Sequence, residues 1–392
     1  MRRTSHPATG VACALIALLG IVSASPSAAM AQATTTWRAD GYGPTNTGYN
    51  PVETAINADT VGTLSQSWTV VSPVVRDSCS RQSPPVVANN RLFLTDQSGF
   101  AAYNATTGAR LWRYVFPRPL DNGTPRLTVV GDRVIASVTY CRSVSDPSTV
   151  AYAFNASTGA LLWSVSPPLH ADAMVVDKDI LILSGANPLY GEAVVSAYRI
   201  TDGAPLWSKP QLLPRSVSAN GRLLLNRYTE PGSDLVDIRT GAVLWSSPTT
   251  WTVLAAGPSG GPLFAAGPAG ELVRINVETG AVVWTQPGAA AQLSTDGTRL
   301  YVAQGNQLVA RDAATGAQVW TRPYASQLGK PVIAGGVVYA TISGERIDPL
   351  AVATGETVDG SAPYEGAVGH PVVVNGRLYV TTGRVLDAFV LP

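Results

Sequence analysis

The chain has 392 residues, a formal net charge of +1 and only 14% charged residues, a balance without acidic or basic tails that points away from nucleic acid. Three cysteines and three histidines, with no Cys-x-x-Cys or Cys-x-x-Cys-His, leave little from which to build a metal centre or an attached haem. The 37 glycines and 29 prolines instead suit many tight turns between short strands.

The N-terminus reads as an export signal. Arg2 and Arg3 give a positive start, residues 11–22 an apolar run, and Ala29-Met30-Ala31 a small-x-small cleavage site before Gln32. Residues 1–31 are therefore expected to be a cleaved signal peptide and the product to be secreted or extracytoplasmic. The run is short for a stable membrane span and nothing later approaches one. Thr4-Ser5-His6 is a poor continuation of a twin-arginine signal, so the ordinary secretory route is expected. Cys13 stands ahead of the apolar core, the wrong place for a lipid-bearing cysteine.

Residues 32–63 form a turn-rich lead-in containing Gly41, Gly43, Pro44, Gly48 and Pro51, with no convincing strand pattern. Residues 64–70, which carry Trp68, then look like the outer strand of a unit whose earlier strands are missing. From there a Gly followed four residues later by Trp recurs: Gly108/Trp112, Gly159/Trp163, Gly203/Trp207, Gly241/Trp245, Gly280/Trp284 and Gly316/Trp320, with a degenerate copy at Gly355 where Asp359 replaces the Trp. A spacing of roughly 36 to 51 residues is that of propeller blades or helical arrays.

Composition decides for strands. Runs such as Arg299-Leu300-Tyr301-Val302-Ala303 and Arg377-Leu378-Tyr379-Val380-Thr381 are rich in β-branched and aromatic residues and bounded by turn formers, and nothing reads as a long amphipathic helix. The Thr-Gly step supplies a turn, and each Trp opens an outer strand from which its indole tucks between neighbouring units, a packing role in which the ring is expected to be buried. Asp146-Pro147 and Asn187-Pro188-Leu189-Tyr190-Gly191 mark the longest insertions, where turn chemistry is preferred over partner-facing loops.

At the C-terminus, strands around residues 370–374, 377–381 and 385–391 end before any Trp. Joined to residues 64–70 they complete an eighth blade and leave no edge strand exposed. The expectation is an all-β, eight-bladed β-propeller of four-stranded blades over residues 64–392, monomeric, closed by an N-terminal strand completing the C-terminal blade. Cys79, before the inner strand of the first blade, and Cys141, after the second strand of the next, fall on the same face, and export permits a disulfide between them.

The pattern Ala-x-Asp-x-x-Thr-Gly-x-x-x-Trp, seen from Ala310 through Asp312 and Thr315-Gly316 to Trp320 and with Asn at Asn104 and Asn155, resembles the tryptophan-docking repeat of the quinoprotein (pyrroloquinoline quinone, PQQ) propeller superfamily. The lead-in from Trp37 to Pro51 is also similar to the start of such proteins. The resemblance implies either a dehydrogenase holding PQQ over a calcium ion in the central channel, or a binding or assembly propeller like that of the outer-membrane barrel-assembly machinery. This sequence has no adjacent cysteine pair, short inter-repeat segments and no residue-by-residue match to a catalytic set. A non-catalytic module binding a protein partner or a small anionic ligand is the expectation. A reduced PQQ-dependent oxidoreductase, of alcohol or sugar dehydrogenase type, is the alternative.

Aligning the units gives one candidate site. Counting back seven from the residue that opens each second strand yields Arg126, Asp172, Arg215, Gln292, Lys330 and His370, polar residues at one height of the channel wall. The first blade gives Pro84 with Arg81 and Gln82 just before it, and the fifth gives Leu254 with Trp251 nearby. Such a mouth suits an anionic planar ligand or an acidic peptide. His170 is a further channel-wall candidate, and no Gly-x-Ser-x-Gly elbow supports a serine hydrolase.

Overall fold

The computed structural model describes Met1 and residues 36–76, 78–141, 149–187, 191–214, 217–288, 292–358, 366 and 369–392. Arg215, Asp146, Pro147, Pro188, Leu189, Tyr190 and Asp359 lie outside the described residues. Contacts divide the chain after Ala33, and the unit Thr34–Pro392 carries every element below.

That unit is all-β. Eight four-stranded sheets follow one another, and the helical content among the described residues is a single 3-10 turn, Val61–Thr63. Blades 1 to 6 are continuous meanders over residues 86–115, 126–165, 170–210, 212–247, 252–286 and 292–323. Within each blade, side-chain pattern follows position. Second strands such as Val337–Ile342 are buried throughout, because both faces are covered by adjacent blades. Outer strands such as Arg110–Val115 alternate exposed and half-buried residues, because one face meets water.

Blade 8 closes the ring as expected. Ser65–Val71 runs antiparallel to Val385–Val390, with Trp68 opposite Ala388, and the other two strands are Val372–Val374 and Arg377–Thr382. Blade 7 departs from the other seven. Its fourth member is the two-residue strand Tyr49–Asn50, parallel to Val332–Ala334 on the inner edge. On its outer edge the described residues supply only the bridge Leu350–Thr357.

The Gly-Trp repeat has a direct physical reason. Each indole lies on the Gly of the following repeat, so a side chain at Gly159 would place its first carbon 2.6 Å from the Trp112 ring, and one at Gly355 would lie 2.6 Å from Trp320. The positive φ of these glycines, 73° and 74°, adds a second reason for the residue. The indole N–H also crosses the interface: Trp163 donates to Ile200 O, Trp207 to Ile238 O and Trp245 to Val277 O, each at 2.9 Å. Repeat spacing and blade docking are therefore one feature.

One part of the expectation for these tryptophans is corrected. Trp68, Trp112, Trp163, Trp207, Trp245, Trp284 and Trp320 are all half-buried rather than buried, because each sits on an outer strand at the rim of the ring and only one face of its indole meets the next blade. Trp284 shows the looser end of the range. Its ring lies 2.9 Å from where a side chain at Gly316 would begin, its N–H reaches Ala313 O at 3.3 Å, and Phe264 stands behind it at 6.3 Å with the planes tilted by 34°. Trp284 thus docks blade 5 on blade 6 from the rim and takes no part in the channel.

The lead-in is the least expected element. Residues 37–50 run round the inside of the ring and exchange backbone hydrogen bonds with inner strands in turn. Trp37 pairs with Val87 of blade 1, Arg38 O accepts from Val129 N of blade 2, and Pro44 O from Ser218 N of blade 4. Thr45, Thr47 and Gly48 carbonyls then accept from Ala256, Thr295 and Ile333 of blades 5, 6 and 7, and Asn50 Nδ2 donates 2.8 Å to Val373 O of blade 8. A segment without strand periodicity is thus ordered by a few backbone bonds to each blade it passes, with one short strand at its end.

Candidate functional site: the channel mouth

The lead-in does not lie flat. Turn bonds from Tyr42 N to Ala39 O, Asn46 N to Gly43 O and Gly48 N to Gly41 O fold residues 39–48 into a plug across the channel. Left-handed backbone at Gly41, Tyr42, Asn46 and Gly48 makes this fold. Tyr42, with φ 81°, is strained for a bulky residue, and its ring is held edge-on at 5.3 Å from Trp37. A side chain at Gly41 would collide with Asn46 and Lys330.

Four of the counted residues share one register above this plug. Arg126, Gln292, Lys330 and His370 each precede by three the residue, Val129, Thr295, Ile333 or Val373, that bonds the lead-in. Arg126 and Gln292 open their strands, and Lys330 and His370 stand just ahead of theirs. In blades 3 and 5 a register irregularity falls at the same level, between Ala171 and Ala173 and between Val253 and Ala255, and carries Asp172 and Leu254. Such bulges re-aim the residue they contain.

The plug supplies partners that counting along blades missed. Asp40 Oδ1 stands 3.0 Å from His370 Nε2. Lys330 Nζ donates to Asn46 O at 2.8 Å and to Asn46 Oδ1. Arg126 Nη2 donates to the backbone carbonyl of Asp172 at 2.6 Å, and His170 Nδ1 lies 3.6 Å from the Asp172 carboxylate. Gln292 is exposed at the head of its strand. Trp251 is placed differently: only 5% exposed, it packs edge-on against Trp245 at 6.3 Å, so its ring belongs to the core between blades.

The electrostatics follow from this placement. Burial alone would raise the pKa of Asp40, but the charge and hydrogen bond of His370, then Lys330 and the Gly41 N–H, hold the carboxylate well below its usual range. Its side chain is nonetheless 80% accessible, because it faces a cavity. Burial pulls the Lys330 ammonium down to about 8, with Asp40 opposing. Arg126 is lowered by burial and raised by Asp172 and Asp40, and a guanidinium stays charged at any ordinary pH.

A cavity of about 380 Å³ opens here, lined by Asp40, Pro44 and Asn46 of the plug, Pro84 and Val86 of blade 1, Arg126 and Leu127 of blade 2 and Met174 and Val176 of blade 3, among others. Its volume is in the range of small-molecule sites. Beside it Cys79 and Cys141 form a disulfide, Cα atoms 6.7 Å apart, and Arg81 N donates to Thr124 Oγ1 at 2.8 Å, so the walls from blades 1 and 2 are tied together.

Residues 31–228 and 234–383 match the family described as outer membrane protein assembly factor BamB. The chain belongs to this family of PQQ-like β-propellers. Among curated proteins, no sequence matches it. The solved structure of BamB from Moraxella catarrhalis is 18% identical with a TM-score of 0.60, over 83% of this chain and 97% of that one. A quinohemoprotein alcohol dehydrogenase from Comamonas testosteroni is 14% identical with a TM-score of 0.69, over 91% and 80%, and a europium-containing methanol dehydrogenase is 14% identical with a TM-score of 0.69, over 91% and 98%. At these identities the likeness is one of fold, which assembly factors and enzymes share.

A calcium-held quinone asks for converging carboxylates and an aromatic floor. Among the described residues no three His, Cys, Asp or Glu side chains converge, the plug's Asp40 is committed to His370, and Trp251 is buried against Trp245. The described channel residues do not fit that group. No described helix is long and apolar enough to cross a membrane.

Proposed function

We propose that the protein is an extracytoplasmic, non-catalytic propeller that captures an anionic group, on a small ligand or on an acidic segment of a partner, at the channel mouth around Arg126, Asp172, Gln292, Lys330 and His370. The observation that carries this reading is the state of Arg126 at the cavity wall. Its guanidinium is anchored by two backbone carbonyls, of Ala171 and Asp172, rather than closed off by a bidentate carboxylate, so three of its five N–H donors remain for a ligand. Export is supported by the character of residues 1–31 and by the disulfide, a bond of oxidising compartments.

The test is calorimetric titration of the purified protein with PQQ, citrate and an acidic peptide at low and high salt, beside Arg126→Ala. Binding that weakens in the variant and with salt is expected, because converging charges focus potential at an entrance while salt screens them over about 8 Å. Equal binding by both proteins would move the site to another surface.

A further inference from the structure

The cavity carries two charges of opposite sign and an apolar flank. Asp40 and Arg126 both line it, and so do Val86, Leu127, Met174 and Val176, whose slight exposure of 3 to 8% is what a cavity wall shows. Arg126 spends Nη2 on Asp172 O and Nη1 on Ala171 O, at 2.6 and 3.5 Å, which leaves three of its five N–H groups. Asp40 gives Oδ1 to His370, and a carboxylate has about four acceptor sites, so its other oxygen keeps capacity for a donor. A ligand bearing only negative charge is attracted by Arg126 and repelled by Asp40, and one bearing only positive charge meets the reverse. A zwitterion satisfies both.

We propose that this cavity takes a small zwitterion with an apolar side chain, a free α-amino acid of the leucine or methionine type, its carboxylate on Arg126, its ammonium on Asp40 and its side chain against Leu127, Met174 and Val176. The proposal rests on the reading of the mouth as an anion site and adds the second charge and the apolar wall. His370, behind Asp40, orients the carboxylate and is a positioning residue. The cavity volume of about 380 Å³ is near the lower end for small-molecule sites, which suits a single amino acid.

The experiment is a calorimetric series on the purified protein with L-leucine, 4-methylpentanoate, which lacks the ammonium, 3-methylbutylamine, which lacks the carboxylate, and L-glutamate, which lacks the apolar end. Leucine should bind, and each of the other three should be weaker by about tenfold or more, as expected for losing a charge-assisted hydrogen bond or apolar burial. Asp40→Asn should weaken leucine and leave 4-methylpentanoate equal or tighter, while Arg126→Gln should weaken both. If 4-methylpentanoate or glutamate binds as well as leucine, the zwitterion or the apolar pocket is overturned and the anion reading stands. If neither leucine nor any carboxylate binds, both readings fall. Should Asp40→Asn fail to fold, the ligand series on the unmodified protein decides alone.

Discussion

Asp40 Oδ1 lies 3.0 Å from His370 Nε2, so a residue of the lead-in is joined to the entrance of the last blade. The folded state holds Asp40 below its ordinary pKa; its contribution is therefore fully present above the unfolded value, about 4, and is lost as pH falls through the folded value. Because the side chain is largely accessible, the contribution at neutral pH is no more than about 1 kcal/mol. Urea melts from pH 6 down to 3 should show a shallower acid loss for Asp40→Asn than for the unmodified protein. Identical slopes would mean the pair has no energetic coupling.

Lys330 has the same sign of pH dependence in an alkaline window, because its folded pKa is also lowered. Burial lowers it to about 8, so above that value the folded protein has released a proton that the unfolded chain keeps to about 10.4, and stability rises with pH across that window. Relative to Lys330→Met, the unmodified protein should gain about 2–3 kcal/mol between pH 7.5 and 10, at 1.36 kcal/mol per unit. A constant difference between the two would show that the ammonium is solvated rather than buried.

The ring was legible in the sequence because its docking device is local: a Gly and a Trp four residues apart recur, and the Gly of one repeat is the seat of the Trp before it. How deeply the indoles sit was not legible, since the half-burial of Trp284 and its six counterparts depends on how far one blade overhangs the next. The equivalence of Arg126, Gln292, Lys330 and His370 along the chain was legible, because each precedes by three a residue that bonds the lead-in. The path of residues 37–50 was not, because it is held by a few backbone bonds to each blade it passes, which no side-chain period encodes. Asp40 and Asn46 meet partners hundreds of residues away and stayed hidden with it. Trp251 was displaced from the mouth by its neighbour Trp245, a contact between blades that counting along one blade does not see.

The disulfide gives a prediction at the cavity wall. Cys79 and Cys141 are 62 residues apart in sequence, and closing such a loop stabilises by up to roughly 4 kcal/mol in the chain-entropy model. Thiol titration of the denatured, unreduced protein should find neither of these cysteines free, and Cys79→Ser with Cys141→Ser should lower the denaturation midpoint. Because the bond sits beside Asn122 and Thr124, with Cys79 Sγ 3.4 Å from Asn122 O, the double variant should also weaken any ligand that needs Arg126 in place. Two free thiols at these positions would remove both expectations.

The seven docking tryptophans are not equivalent, and the difference can be measured. Trp207 Nε1 donates to Ile238 O at 2.9 Å, whereas Trp68 Nε1, at the ring closure, is buried with no hydrogen-bond partner. The carbonyl in the corresponding place, Ala105 O, is taken instead by Tyr379 Oη at 3.1 Å. Trp207→Phe loses a hydrogen bond and strands a carbonyl, while Trp68→Phe removes an unsatisfied donor, so the first should cost more than the second by about 1 kcal/mol. Truncation to Ala at Trp320, which lies on Gly355, should cost on the order of 3–5 kcal/mol as a large-to-small change. Deleting residues 64–71 should do more than any of these, because it exposes the edge of Val385–Val390 and invites aggregation. Chemical denaturation of the two Phe variants, with size-exclusion chromatography of the deletion, tests the set. Equal losses at Trp68 and Trp207 would show that Trp68 finds a partner after all, and a monomeric deletion with an unchanged melting temperature would show that the ring is closed elsewhere.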